Sequence, residues 1–182
     1  MNTKLKVRLL VVPLALIAIV VSCTPNQLGS TYTLRQYTPT GHVPNPCVAF
    51  SMSAPSKVAV GAGLTVTLTA ENICDEEITL QLGGLEAEAH DDLLVTNQSG
   101  EVMFQSLYEV VRTLGLTPKP MAPGERISFE ESWSGRDNWG RVVPEGTYLL
   151  IGILYAPDES EAPVYRPENQ NFEAVQSLKV GN

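Results

Sequence analysis

From Cys47 onward, apolar residues recur at every second position, the period of a strand with one buried face. Leu64, Val66, Leu68 and Ala70 alternate with Thr65, Thr67, Thr69 and Glu71, and Val58 and Val60 precede them across the turn Gly61-Ala62-Gly63. Ile78, Leu80 and Leu82 repeat the pattern after Asp75-Glu76-Glu77. Leu93 to Thr96 and Val102 to Phe104 flank Asn97-Gln98-Ser99-Gly100, which predicts a hairpin. Ile127, Phe129 and Glu131 lead to Trp133, and Thr147 to Tyr155 is a long apolar strand. Phe172, Ala174, Gln176, Leu178 and Val180 fall on one face of a last strand. Leu107, Val110, Val111 and Leu114 have the spacing of a helix face, but the run is short and flanked by strands, so strand is the expectation there. Short strands separated by turn residues, with no internal repeat, predict a β-sandwich over residues 47–182.

The N-terminus breaks this period. Lys4, Lys6 and Arg8 precede an unbroken apolar run from Leu9 to Val21, closed by Ser22-Cys23, the layout of a secretory signal. Thirteen residues reach about 20 Å as a helix, short of a hydrocarbon core of about 30 Å, and Pro13 weakens such a helix further. An uncut membrane anchor is therefore the lesser alternative. Val20-Val21-Ser22-Cys23 resembles the bacterial lipobox. That resemblance implies cleavage after Ser22 and acylation at Cys23, so that residues 1–22 are lost and the mature chain is exported and held on a membrane by lipid. Each buried CH₂ contributes about 0.8 kcal/mol, and two or three acyl chains hold durably where one does not. Residues 24–46 are polar and carry Pro25, Pro39, Pro44 and Pro46, a composition that reads as a tether, with a short edge strand possible at Tyr32, Leu34 and Gln36.

Charge narrows the partners. The chain carries −8, and loss of residues 1–22 removes three cations and no acid, leaving −11. Such a chain will not grip nucleic acid through phosphates, and its net charge repels anionic headgroups, so the acyl anchor must supply the membrane contact. Once Cys23 is acylated, Cys47 and Cys74 remain in an oxidising compartment. Folding the chain back at residues 61–62 sets them nearly opposite one another, so a disulfide is feasible; two buried free thiols are the alternative. With only His42 and His90 in the chain, and neither at ligand spacing from a cysteine, no metal or other cofactor is expected.

A family resemblance follows from the order of motifs. Asn72 ends an alternating strand; Asp92-Leu93-Leu94-Val95-Thr96-Asn97 runs through Gly100 to Val102, Phe104 and Ser106; then come Pro123-Gly124-Glu125, Trp133, Gly140 and Val143-Pro144-Glu145-Gly146-Thr147-Tyr148. Over residues 58–156 this resembles the BsuPI-type proteinase-inhibitor domain, first recognised as an intracellular inhibitor of bacterial serine proteinases. The resemblance implies an immunoglobulin-like antiparallel sandwich of about seven to nine strands, with Asn72, Asp92, Pro123, Gly124, Trp133, Gly146 and Tyr148 as structural motif residues. It also implies a proteinase partner, which for an exported chain cannot be cytoplasmic. Two positions depart from the family pattern: Asp91 stands where a Tyr is usual and Phe104 where a Trp is usual. By residue chemistry alone, Pro123-Gly124 shapes a turn, and Trp133 and Tyr148 fill the core with the Tyr hydroxyl on a backbone acceptor.

Enzymatic chemistry finds no carrier. No Gly-x-Ser-x-Gly is present, and Asp91, Asp92 and Asn97 lack calcium-loop spacing, so His90-Asp91-Asp92 reads as a solvated turn entering a strand. The acidic stretch 157–163 reads as solvated too. Ser134-Gly135-Arg136-Asp137-Asn138-Trp139-Gly140 combines an aromatic with both charges, and Arg136, Asp137 and Trp139 are the candidate partner contacts, unless Trp139 tucks onto the sandwich edge. The expectation is a non-enzymatic, lipid-anchored module that binds a protein, with an envelope-assembly lipoprotein lacking inhibitory activity as the alternative.

Overall fold

Alternating apolar residues become strands because one face of each can be buried, and the computed structural model shows which faces meet. The structure describes residues 36, 37, 39, 45–84, 91–108, 115–156 and 171–182, all within one compact unit, Thr33–Asn182. Ten strands lie there and no helix: β1 (Val48–Ser53), β2 (Lys57–Val58), β3 (Leu64–Asn72), β4 (Ile78–Gly84), β5 (Asp91–Asn97), β6 (Val102–Gln105), β7 (Gly115–Met121), β8 (Arg126–Trp133), β9 (Gly146–Tyr155) and β10 (Asn171–Val180). One sheet has the order β1-β3-β8 and the other β2-β10-β9-β5-β6, with β4 and β7 paired separately. Neighbours are antiparallel except β2, which runs parallel to β10. The order is immunoglobulin-like. Tyr148, near the start of β9, adds a hallmark of that fold: buried, it donates its hydroxyl to Pro144 O at 2.9 Å, four residues upstream.

The two inner faces meet at Val66 and Leu68 of β3, Leu93 and Val95 of β5, Leu150 of β9 and Leu178 of β10, with Trp133 closing one end. Gly152 lets the sheets approach closely, since a Cβ there would lie 2.2 Å from Leu68 Cδ2. Trp133 is 1 % exposed and donates Nε1–H to Arg136 O at 2.7 Å.

β4 and β7 prolong the ribbon of β3 and β8. β3 leads into β4 and β7 into β8, and the ladder is interrupted where residues 73–77 stand opposite 122–125. Beyond this corner Leu80, Leu82 and Met121 close the core against Val48, Ala70, Leu154 and Phe172. Asn72 holds the corner. Wholly buried, it donates Nδ2–H to Glu76 O (2.8 Å) and Met121 O (2.9 Å) and accepts Cys74 N–H on Oδ1 (3.0 Å). Pro123 and Gly124 turn the opposite strand; Gly124 has φ +73°, and its N–H reaches Asn72 O at 2.9 Å. Cys47 and Cys74 form the disulfide, Cα atoms 5.1 Å apart, just beyond the Val48–Asn72 pair: Cys47 is one residue before Val48 and Cys74 two after Asn72. The route between them is not the simple hairpin expected: β2 leaves the first sheet to pair with β10 before β3 begins.

At the other end emerge the turns 59–63 and 98–101 and the loop 134–145, because Leu64 lies opposite Trp133, Asn97 opposite Tyr148 and Val180 opposite Gly146. Residues read as tether dock here. Gln36 bridges to Glu101, and Tyr37 N–H donates to Gly100 O at 2.8 Å. The Tyr37 ring lies on the outer face of the five-stranded sheet, with Leu94, Val102, Ile151, Ile153 and Tyr155, and its hydroxyl donates to Glu173. The domain therefore reaches back past Cys47. Cys23, residues 1–22 and the acidic stretch 157–163 lie outside the described residues, as does most of 107–114; Leu107 itself sits in a turn after β6.

Candidate functional site

The loop after Trp133 is a small hairpin built around one buried carboxylate. Arg136 pairs with Val142, Asp137 N–H donates to Arg141 O at 2.8 Å, and Gly140 N–H donates to Asp137 O at 3.0 Å. Asp137, 7 % exposed, accepts the N–H groups of Trp139 (3.0 Å) and Arg141 (2.9 Å) on Oδ1 and Arg141 Nε–H on Oδ2 (2.7 Å). Asn138 fastens the hairpin to the edge of β6, donating Nδ2–H to Gln105 O (2.9 Å) and accepting Gln105 N–H (2.8 Å). Its backbone N–H also reaches Met103 O at 3.2 Å. Those bonds occupy an edge that would otherwise offer unpaired groups to another chain.

Of the sequence-predicted contacts, Asp137 turns inward as the brace; burial with this many donors requires that role. Arg136 stays exposed, with one guanidinium N–H on Gly140 O at 2.7 Å. Trp139 is half-buried, edge-on to Tyr108 (centroids 6.2 Å apart) and under the Arg141 guanidinium at 5.1 Å. Tyr108 and Arg141 were not singled out by sequence, since only the fold brings them to Trp139. The outcome is a flank of two aromatics and a cation on a rigid support.

The stretch Asp91-Asp92 is buried, not solvated as its composition suggested. Strand pairing to Leu154 and Ile153 draws both residues into the sheet. Asp92, 0 % exposed, accepts Gln105 Nε2–H (2.6 Å) and Tyr155 OH (3.1 Å) on Oδ2, and Ser106 OH (2.9 Å) and Leu107 N–H (3.2 Å) on Oδ1. Glu131 takes an inward position of β8, between Phe129 and Trp133. Burial, then the charge of Asp91, pushes its carboxyl up to about 7; the charge of Asp92 and a hydrogen bond with Asp91 add to this, and a hydrogen bond with Ser106 opposes it. No grouping of His, Cys, Asp and Glu suited to a metal ion occurs among the described residues, and His90 lies outside them.

A pH dependence follows. Folded Glu131 keeps its proton to about pH 7, while the unfolded chain releases it near the ordinary value of 4.5. The folded state binds more protons between those values, so stability falls as pH rises from about 4.5 to 7 and levels off above. At about 1.4 kcal/mol per unit, discounted for partial exposure, the expected loss is about 1–2 kcal/mol. Glu131→Gln should remove this slope and leave the domain more stable than the parent at pH 8, as read from urea midpoints at pH 5 and pH 8.

No family model and no curated protein matches the chain. Among solved structures it is similar to the CARDB domain of a Pyrococcus furiosus protein, at 14 % identity and TM-score 0.38, covering 74 % of this chain and 94 % of that one. It is also similar to a β-glucosidase from Listeria innocua, at 14 % identity and TM-score 0.37, covering 74 % of this chain but 16 % of the enzyme. Pseudomonas fluorescens alkylpurine DNA glycosylase AlkC matches at 11 % identity and TM-score 0.36, over 73 % of this chain and 30 % of that one. Likeness at this level transfers no ligand and no activity. The all-β, immunoglobulin-like sandwich is shown by the strand order and by the Tyr148 corner of the chain itself.

Proposed function

We propose that this chain is an exported, non-enzymatic β-sandwich, anchored by lipid at Cys23, that binds a protein partner through the Tyr108–Trp139–Arg141 flank. The braced hairpin carries the reading. Asp137, Asn138 and Trp133 fix its backbone through side-chain bonds, so a partner meets a preorganised surface and little ordering entropy opposes binding. Trp, Tyr and Arg are the residue types that most often dominate such contacts. The Cys47–Cys74 disulfide agrees with an oxidising compartment. Within this class, the resemblance to BsuPI-type domains makes an extracytoplasmic serine proteinase the first partner to test.

Two measurements test the reading. Mass spectrometry of the mature N-terminus should find Cys23 acylated and residues 1–22 absent; an unmodified Cys23 removes the anchor. A serine-proteinase panel assayed with Thr33–Asn182 should reveal inhibition that Trp139→Ala weakens about 30-fold, a loss of about 2 kcal/mol, without a matching change in thermal midpoint. Absence of inhibition at micromolar protein, with co-purification of an envelope protein that Trp139→Ala abolishes, replaces the inhibitor by the assembly lipoprotein. A Trp139→Ala protein that keeps every contact refutes the flank.

A further inference from the structure

Net charge describes the mature chain poorly, because the fold sorts the charges between its two ends. Of the described cations, Lys119 and Arg126 belong to the corner end, where each is held in an ion pair, with Glu125 at 3.2 Å and Glu71 at 3.0 Å. Beside them Asp75, Glu76 and Glu77 stand exposed. Lys57, Arg136, Arg141 and Lys179 lie at the opposite, loop end, all exposed, with Lys57 directly opposite Lys179 across the β2–β10 pair. Two described acids of this end are placed differently: Asp137 is buried against Arg141, and Glu101, half-buried, accepts Asn97 Nδ2–H at 2.7 Å. Glu145, against Gly181, is exposed, so the described charges of this end sum to a small positive balance. Two exposed apolar side chains, Val60 (50 %) and Val142 (43 %), share this end; Val142 abuts the turn at Gly61.

The chain from Cys23 arrives at this same end. Gln36 and Tyr37 join the sandwich at Glu101 and Gly100, in the turn between β5 and β6. Gly100 is suited to that contact, since a Cβ there would lie 2.9 Å from Tyr37 O and φ is +83°. Gln36 lies thirteen positions after Cys23, and a chain of that length spans at most about 47 Å. An attachment at Cys47 would have allowed about 86 Å for the 24 residues from Cys23. Docking of Gln36 and Tyr37 thus nearly halves the reach, and the chain toward Cys23 leaves the sandwich from its loop end.

We infer that the loop end is a membrane-docking surface: Lys57, Arg136 and Lys179, with Val60 and Val142 at the same end, rest on the anionic headgroups of the bilayer that holds Cys23. The inference rests on the anchor proposed above. It turns the Tyr108–Trp139 flank sideways, parallel to the bilayer, so the partner of that flank is itself membrane-proximal. The acidic corner end, with exposed Ile73 beside Asp75, is repelled from the same surface and points away. Each Lys or Arg near an anionic surface contributes about 1 kcal/mol, or about a five-fold change in binding, and the effect is lost as salt rises.

The test bypasses natural acylation, so that its failure is separable from failure of the anchor. The full chain without residues 1–22 is coupled through Cys23 to a maleimide lipid in vesicles of phosphatidylcholine alone or mixed with phosphatidylglycerol, and amide exchange is followed. Slower exchange at 57–63 and 134–145 on the phosphatidylglycerol vesicles only, reversed by high salt, is expected. Lys57→Gln with Lys179→Gln should reduce that protection about 25-fold, two cations at about 1 kcal/mol each. Both side chains are exposed, and an unchanged thermal midpoint confirms that the variant folds. Equal exchange on both vesicle types, protection at 73–77 instead, or protection unaffected by the lysine pair overturns the inference.

Discussion

Asp92→Ala is expected to lower the unfolding free energy by about 3–5 kcal/mol, because it strands several buried donors at once. The side chains of Gln105, Ser106 and Tyr155 and the backbone N–H of Leu107 all end on this carboxyl, and no water reaches a group 0 % exposed. Asp92→Asn keeps the size and one acceptor oxygen, so about half that loss is expected. The damage should spread beyond the mutated residue. Gln105 is bonded to Asp92 by its side chain and to Asn138 by its backbone, so the β6 edge and the hairpin share one support. Urea unfolding gives the first quantity, and amide exchange at Gln105, Leu107 and Asn138 gives the second. A loss below about 1 kcal/mol for Asp92→Ala would contradict the network.

The second large effect lies at the corner. Opening the disulfide with Cys47→Ser and Cys74→Ser, which are 27 residues apart, should cost about 3 kcal/mol. Asn72→Ala should cost about 2–3 kcal/mol, since it frees the carbonyls of Glu76 and Met121 and the N–H of Cys74 in a buried position. The two are not independent. Asn72 bonds the N–H of Cys74, and Asn45 accepts the N–H of Cys47 in the same way at 2.9 Å. A double-mutant cycle should therefore show coupling above about 0.5 kcal/mol. Additive losses would mean that the disulfide and Asn72 hold separate parts of the sandwich.

Much of this fold is legible in the sequence, for a local reason. β3 reads Leu64-Thr65-Val66-Thr67-Leu68, and its burial follows that alternation residue by residue. The β5–β6 hairpin, β8, β9 and β10 were marked in the same way by their own periods and turns. β7 was not, because Pro118 and Pro120 argue against a strand. It is tolerated because the two prolines are two residues apart and so remove donors from one side only, and among the described strands β7 pairs with β4 alone. The cysteine pairing was legible from folding the chain back between residues 47 and 74, although the excursion of β2 to the other sheet was not.

By itself the sequence determined an all-β chain, the places where most strands begin and end, and a feasible disulfide. These depend on neighbours two residues apart or on a single turn. The tertiary structure decided what depends on contacts distant in sequence. It buried Asp91 and Asp92 and brought half-buried Glu131 against them, although Asp91-Asp92 looks like a solvated turn, because strand pairing with β9 carries both aspartates into the sheet. It brought Tyr108 and Arg141 to Trp139 and turned Asp137 inward. It also separated the charges, since strands of alternating direction collect every second connection at the same end, and no composition or local pattern records which connections those are.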